Sequence, residues 1–252
     1  MPVNVSIIMP AYNSSTYIAE AVQSVMDQSY GDWELLIIDD SSSDGTLEVI
    51  KSFADRDKRI VVIELENNSG AAFARNEGLK IVSGRFVAFL DSDDAWLPNK
   101  LEMQLLTFSS TDAVLVYSPY WLCEEDLENK TGSVTAPNYV ELRDLFKGNP
   151  IGCCTAMYDR DKVGEVLFPD IRMRNDWGFW IRLLSKGGSG VCVQERLVVH
   201  RIRPNSLTAQ KVRAFYFTYL VLRTELNLGI FRSIIGIFQQ VMGSMLRRKK
   251  RI

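Results

Sequence analysis

Few of the residues that build special scaffolds are present. Four cysteines (Cys123, Cys153, Cys154 and Cys192) at irregular spacing exclude a disulfide framework and a cysteine-based zinc motif. They read as the ordinary thiols of a cytosolic chain. Sixteen glycines and eight prolines exclude collagen-like and disordered chains. Histidine occurs once, at His200. Long apolar runs are also missing. The longest stretches without a charge are residues 1–19 and 233–246. Pro2, Pro10 and Asn13 interrupt the first, and the second is shorter than the roughly 20 apolar residues a spanning helix needs. No charged segment precedes Val3, so no secretory signal is expected. Glycine-rich phosphate loops are absent too: no G-x-G-x-x-G follows the first strand, and no G-x-x-x-x-G-K-[ST] occurs anywhere.

What is present suits one large or two small globular domains: 252 residues, of which 46% are hydrophobic. Net charge is −2, unevenly spread. Residues 211–252 hold nine Lys/Arg against one acid, Glu225, which leaves −10 on the first 210 residues. Phe231, Ile234, Ile235, Phe238, Val241, Met242, Met245 and Leu246 fall on one helical face, followed by the basic cluster 247–251. Such a tail is expected to meet an anionic membrane surface. The alternative is a helix packed on the body or on a second copy, which leaves a homodimer open. No nucleic-acid partner is expected.

The first half alternates between two periodicities. Residues 3–9, 33–38, 60–65, 86–90 and 113–117 read as strands, and 18–26, 47–54, 71–81 and 98–108 as helices. Alternation at this pitch predicts an α/β fold, a parallel sheet with helices on both faces. Later strands are expected at 155–158, 190–193 and 197–202, and helices at 139–147, 177–185 and from 208 to the end. The expected division is one α/β domain over 1–208, with halves at 1–110 and 111–208, and a basic helical region over 209–252.

Open α/β sheets bind ligands beyond the carboxyl ends of their strands. Here those ends carry Pro10-Ala11-Tyr12-Asn13, then Asp39-Asp40-Ser41-Ser42-Ser43-Asp44, then Asp91-Ser92-Asp93-Asp94. Carboxylates repel phosphate, but can hold it through a divalent cation with oxygen ligands. Taken alone, Asp91–Asp94 reads equally as a solvated turn.

Four ordered motifs change that reading. They are residues 5–10 followed by Ala11-Tyr12-Asn13; Asp39-Asp40-x-Ser-x-Asp44-x-Thr46; Asn68-x-Gly70-x-x-x-Ala74-Arg75-Asn76-x-Gly78; and Phe89-Leu90-Asp91-Ser92-Asp93-Asp94-x-Trp96. Together they resemble the inverting family-2 glycosyltransferases of bacterial surface-polysaccharide synthesis, which have the GT-A fold. The resemblance implies a glycosyltransferase domain over 1–208, with a Rossmann-like nucleotide-binding half at 1–110 and an acceptor half at 111–208, and a nucleotide-diphospho-sugar donor, expected to be UDP-linked. It also implies a Mn²⁺ or Mg²⁺ cofactor, a glycan acceptor on a lipid carrier, and a cytoplasmic enzyme on the inner face of the membrane. Nucleotide contacts are implied for Pro10, Tyr12 (stacking on the base), Asp40 (accepting from a base N–H), Arg75 and Asp91, and metal ligation for Asp93 with Asp91. Asp39 is expected to support the strand end, Arg75 and Asn76 to brace the acidic loop, and Asp94 to assist or to cap the following turn. The catalytic base is implied at Asp176, which also suits an N-cap; Asp170 is the competing carboxylate. Arg201 or Arg203 would clamp the diphosphate, and His200 reads as structural. Gln210-x-x-Arg213 is followed by Ala214 rather than tryptophan, so single-sugar transfer is expected rather than polymerisation. Two rivals stand beside this reading. One is a sugar-phosphate nucleotidyltransferase, which would want a basic glycine-rich loop after strand one. The other is a non-catalytic, membrane-recruited binding module.

Overall fold

The computed structural model describes residues 4–202, 211–226 and 229. In chain order the first half runs β1 (Val5–Ala11), α1 (Ile18–Met26), β2 (Trp33–Asp39), α2 (Thr46–Ala54), β3 (Ile60–Glu64), α3 (Ala71–Ile81), β4 (Phe86–Phe89), β5 (Ala95–Trp96) and α4 (Lys100–Ser110). The second half runs β6 (Leu115–Tyr117), β7 (Tyr120–Cys123), β8 (Lys130–Val134), β9 (Tyr139–Val140), α5 (Leu142–Leu145), β10 (Met157–Asp159) and α6 (Arg160–Val163). It ends with α7 (Asn175–Leu184), β11 (Gly190–Cys192), β12 (Val198–Arg201) and α8 (Lys211–Thr224).

The larger sheet has the order β3-β2-β1-β4-β10-β6-β11-β9. Its central strands are apolar on both faces, because both faces are covered. Val5, Ile7 and Met9 of β1, with Leu35 and Ile37 of β2, enter a core shared with α1, α2 and α4. Ile8, Leu36 and Ile38 point the other way, into a core shared with α3, α7 and the aromatic group Phe89, Phe168, Phe179 and Trp180. Gly78 lets α3 lie close to the sheet: a Cβ there would stand 2.8 Å from Ile8 Cγ2 and 3.0 Å from Ile38 Cδ1.

The expected sheet is found, with four corrections. It is mixed rather than parallel, because β10 enters antiparallel between β4 and β6. A single sheet therefore draws strands from both expected halves. A second sheet, β5-β12-β7-β8, was not foreseen. Its hairpin strand β8 (Lys-Thr-Gly-Ser-Val) carries no apolar alternation, so periodicity could not reveal it. Residues 139–147 do not form one helix. The Asn138 carbonyl accepts from the Cys192 amide (2.9 Å), and edge pairing with β11 holds β9 extended. Only the single turn of α5 follows, closed by a capping box between Glu141 and Asp144. Pro98 lies ahead of α4 rather than in its first turn. Arg203 and the apolar and basic tail at 230–252 lie outside the described residues.

Candidate active site

The carboxyl ends of β1, β2 and β4 meet along one edge. Pro10 is buried next to the last residue of β1, opposite Ile38 of β2, and Tyr12 follows half-exposed at the rim. The next residues are laced to the loop after β2. The Asn13 amide donates to Ser42 Oγ (3.1 Å), and Asn13 Oδ1 accepts from the Ser43 amide (2.9 Å). Asn13 and Ser41 both take positive φ, 45° and 62°, which lets the two loops fold over one another. Asp44 accepts from the amides and hydroxyls of Ser15 and Thr46. Against the opposing effect of burial, those donors hold its carboxyl down at about 2.

Asp40 is buried, and both its oxygens accept backbone amides, Ser69 and Gly70, each at 2.7 Å. It thereby fastens β2 to the start of α3, where a carboxylate also complements the helix dipole. Asp39 supports the strand end through the Ser42 amide (3.0 Å). Its other oxygen is buried and has no hydrogen-bond partner among the described residues.

The acidic loop follows β4. Asp91 and Asp93 are half-buried. Asp91 Oδ1 accepts from Arg75 Nη2 (2.5 Å), while Arg75 Nη1 reaches Asn175 Oδ1 (3.2 Å). The Arg75 guanidinium is therefore engaged with the acidic loop and α7, and is only 5% exposed. Asn76 exchanges two hydrogen bonds with the backbone of Phe168 (2.8 and 3.1 Å) and so braces the neighbouring loop.

Asp94 does not cap the following turn. It is buried, accepts the Arg201 amide (3.0 Å) and pairs with His200 Nδ1 (2.9 Å), which ties the acidic loop to β12. Burial works against a charged His200, but Asp94, with Asp91 and Asp93 behind it, outweighs that and pushes the imidazole up to about 9. Arg201 turns inward. Its Nη2 meets Glu20 (2.6 Å), its Nη1 the Glu125 carbonyl (2.5 Å) and its Nε the Asp93 carbonyl (3.1 Å), and the guanidinium lies 4.3 Å from the Tyr17 ring. At 4% exposure it supports the acidic loop from behind.

Asp176 sits in the first turn of α7, not at its N-cap; that position is Arg174, at φ 65°. Asn149 Nδ2 donates to Asp176 Oδ2 (2.7 Å). Burial raises this carboxyl; the Trp177 amide, Arg174 and Arg75 pull it down, and Asp91 pushes it up again. A raised carboxylate beside other charged groups is the usual condition of a general base. Asp170 lies exposed in the loop before α7. Sequence reading gave no role to Asn149, which belongs to no motif, or to Asn175, which it met only as the neighbour of Asp176; their links to Asp176 and Arg75 join segments distant in the chain.

Two carboxylate groups deserve comparison as cation sites. Asp94, Cys154 and His200 bring ligand atoms within 4.8 Å of one another. Asp94 and His200 are already bonded together, and burial and Asp94 push the Cys154 thiol well up, so that set is closed by its own hydrogen bonds. Asp91 and Asp93 are half-buried carboxylates at a strand end, Asp91 already paired with Arg75, and their all-oxygen donor type is the one that fits a hard divalent cation.

The Glycosyl transferase family 2 model matches residues 6–167. The chain belongs to glycosyltransferase family 2. It is similar to a putative teichuronic acid biosynthesis glycosyltransferase, TuaG, of Bacillus subtilis (strain 168), at 41% identity over 97% of both chains. Another relative of this glycosyltransferase is the Escherichia coli UDP-Glc:alpha-D-GlcNAc-diphosphoundecaprenol beta-1,3-glucosyltransferase WfgD, at 37% identity over 82% of both chains. Among solved structures, S. aureus TarS 1-349 in complex with UDP-GlcNAc superposes with a TM-score of 0.73 at 20% identity, covering 94% of this chain and 71% of that one. Mannosyltransferase PcManGT from Pyrobaculum calidifontis, in complex with GDP-Man and Mn²⁺, gives 0.70 at 16% identity, covering 97% and 74%. The fold is the GT-A fold that the four motifs led us to expect, and the chain is a glycosyltransferase.

Proposed function

We propose that this glycosyltransferase transfers one sugar, with inversion, from a UDP-sugar to a hydroxyl of a lipid-linked glycan during surface-polysaccharide synthesis. The observation that carries the proposal is the placement of the acidic loop and Asp176 on the two sides of one buried guanidinium, Arg75. A metal-and-phosphate end and a base end are then linked through one side chain. The names of TuaG and WfgD support the pathway class, and WfgD supports the donor and the diphosphoundecaprenol carrier.

In this reading Tyr12 stacks on the base from the rim. Asp40 keeps the start of α3 in place while offering its remaining lone pairs to a base N–H. Asp91 and Asp93 would hold Mn²⁺ or Mg²⁺, which supplies neutralisation of the charge building on the leaving diphosphate. Asp176 removes the acceptor hydroxyl's proton. The hydroxyl oxygen bonds to the anomeric carbon, the carbon–oxygen bond to the diphosphate breaks on the opposite face, and UDP leaves with that electron pair. Arg75 and Arg201 hold the acidic loop from behind. Arg203 and the basic tail complete the proposal outside the described residues, the tail by bringing the enzyme to an anionic inner membrane face. Among the described residues no helix is long and apolar enough to cross a membrane.

A panel of UDP-sugars, with and without chelator, tests the reaction. Calorimetry should show UDP binding strengthened by Mn²⁺ or Mg²⁺ and lost in Asp93→Ala. Equal affinity in chelator would remove the metal role. Co-sedimentation of the full chain with anionic liposomes tests the tail, and failure to bind at low salt would make it structural.

A further inference from the structure

We propose that Arg75 is a positioning residue that couples the two ends of the site, setting the pose of Asp176 through Asn175 according to how Asp91 is held. This rests on the reading of Asp176 as base.

The geometry is a fork across three segments. Arg75 stands in α3; one terminal nitrogen takes Asp91 and the other takes Asn175, 100 positions away in the chain. Asn175 cannot turn away freely, because its Nδ2 donates to the Ile171 carbonyl (3.3 Å), which leaves Oδ1 for the guanidinium. Asn175 opens α7, and Asp176 is the next residue. The guanidinium lies 5.3 Å from the ring of Phe168, whose backbone the Asn76 pair fixes in turn. The far side of Asp176 is held by Asn149. A change at Asp91 therefore has a short, rigid route to the first turn of α7.

Simple packing does not account for this arrangement. An ion pair made by a buried guanidinium adds little net stability over an apolar replacement, because the guanidinium must leave water while Asp91 stays only half-buried. Arg75 Nε is moreover buried without a hydrogen-bond partner, a further cost. What the guanidinium supplies that an apolar side chain or a lysine cannot is a planar fork with two fixed directions. Here the directions are the phosphate end and the base end.

The test uses the full-length enzyme with UDP and Mn²⁺ as binding probe, and the donor identified from the UDP-sugar panel for turnover. Asn175→Ala cuts the fork on one side and leaves the Arg75–Asp91 pair intact. It should lower kcat about tenfold or more while UDP affinity stays within about twofold, since only the transition-state interaction is lost. Arg75→Lys keeps the charge without the fork and should not restore kcat. Arg75→Gln with Asn175→Ala should lose no more than Arg75→Gln alone, because both cut one link. Amide exchange gives a readout independent of turnover. UDP should slow exchange in the first turn of α7 in the natural enzyme and leave it unchanged in Asn175→Ala. Melting curves check folding, and Asn175→Ala decides the matter if the Arg75 variants do not fold. Full kcat in Asn175→Ala, or losses that simply add, would overturn the coupling. Asp176→Asn is measured beside them. If it stays active, the base assignment fails; if it is inactive while Asn175→Ala is normal, only the coupling fails.

Discussion

The two ends of the site are built in different ways. The proposed nucleotide end, formed by the loops after β1 and β2, is held by bonds to backbone amides and short hydroxyls: Asn13 to Ser42 and Ser43, Asp44 to Ser15 and Thr46, Asp40 to Ser69 and Gly70. The proposed chemical end is held by side chains reaching between distant segments: Arg75 to Asp91 and Asn175, Asn149 to Asp176, Asp94 to His200. The first kind of construction ties binding to local backbone stability. The second leaves the fold standing when one link is cut, and shows its loss in rate. Substitutions at the two ends should therefore differ in which quantity they change.

The largest effect is expected at the chemical end. Asp176→Asn should keep UDP binding and cost on the order of 10²-fold or more in transfer rate. Only the unprotonated carboxylate can take the acceptor's proton, so kcat should fall as pH drops. Because burial raises this carboxyl, that fall should begin above the ordinary aspartate range. A pH profile of kcat flat down to pH 4 would break the comparison at its strongest point.

Next comes Asp40→Ala at the nucleotide end. Losing a charged acceptor for two amides should cost about 2–3 kcal/mol of stability, with UDP affinity falling in step. Denaturant melts and calorimetry check both together; a stable variant that has lost only binding would show that the two ends do not differ as argued.

Asp44→Ala is milder, since the carboxylate is exposed. About 1 kcal/mol in stability is expected, with kcat at saturating donor unchanged. Turnover at saturating donor, set beside the melt, reads that split.

The smallest effect is expected from His200→Gln. The folded-state imidazole titrates at about 9, above its unfolded value, so its pair with Asp94 contributes fully below about pH 6.5 and is lost as pH rises through about 9. Being partly exposed, the pair is screened, and the stability gap to His200→Gln should be modest at pH 6 and vanish by pH 10. A gap that grew with pH would reverse the sign of the pairing.

The same contrast explains what could be read from the sequence. Strand-end motifs are contiguous, so Tyr12, Asp40, Asp44 and the Asp91–Asp94 run were legible together, as was the helix 71–81 whose glycine packs on β1. Asn149 and Asn175 were not, because their partners are set by folding rather than by spacing. Arg201 was legible as a cation near the site, but not as one turned inward. Its direction depends on Glu20 in α1 and on the hairpin β7–β8, and the hairpin gave no periodic signal. The antiparallel entry of β10 was hidden for a related reason: a three-residue buried strand carries no mark of direction.

One consequence concerns mechanics. Residues 90–94, which carry the acidic carboxylates, run from the end of β4 in the larger sheet to the start of β5 in the smaller one. The segment is a bridge deck resting on two separate abutments. Its near end is fixed where the Leu90 amide meets Ile8, and its far end where Asp94 meets β12. Strand β7 pairs with β12 and so meets the deck only through that far abutment. A substitution in β7 that shifts β12 is expected to tilt the carboxylates and change turnover without altering a residue of the site.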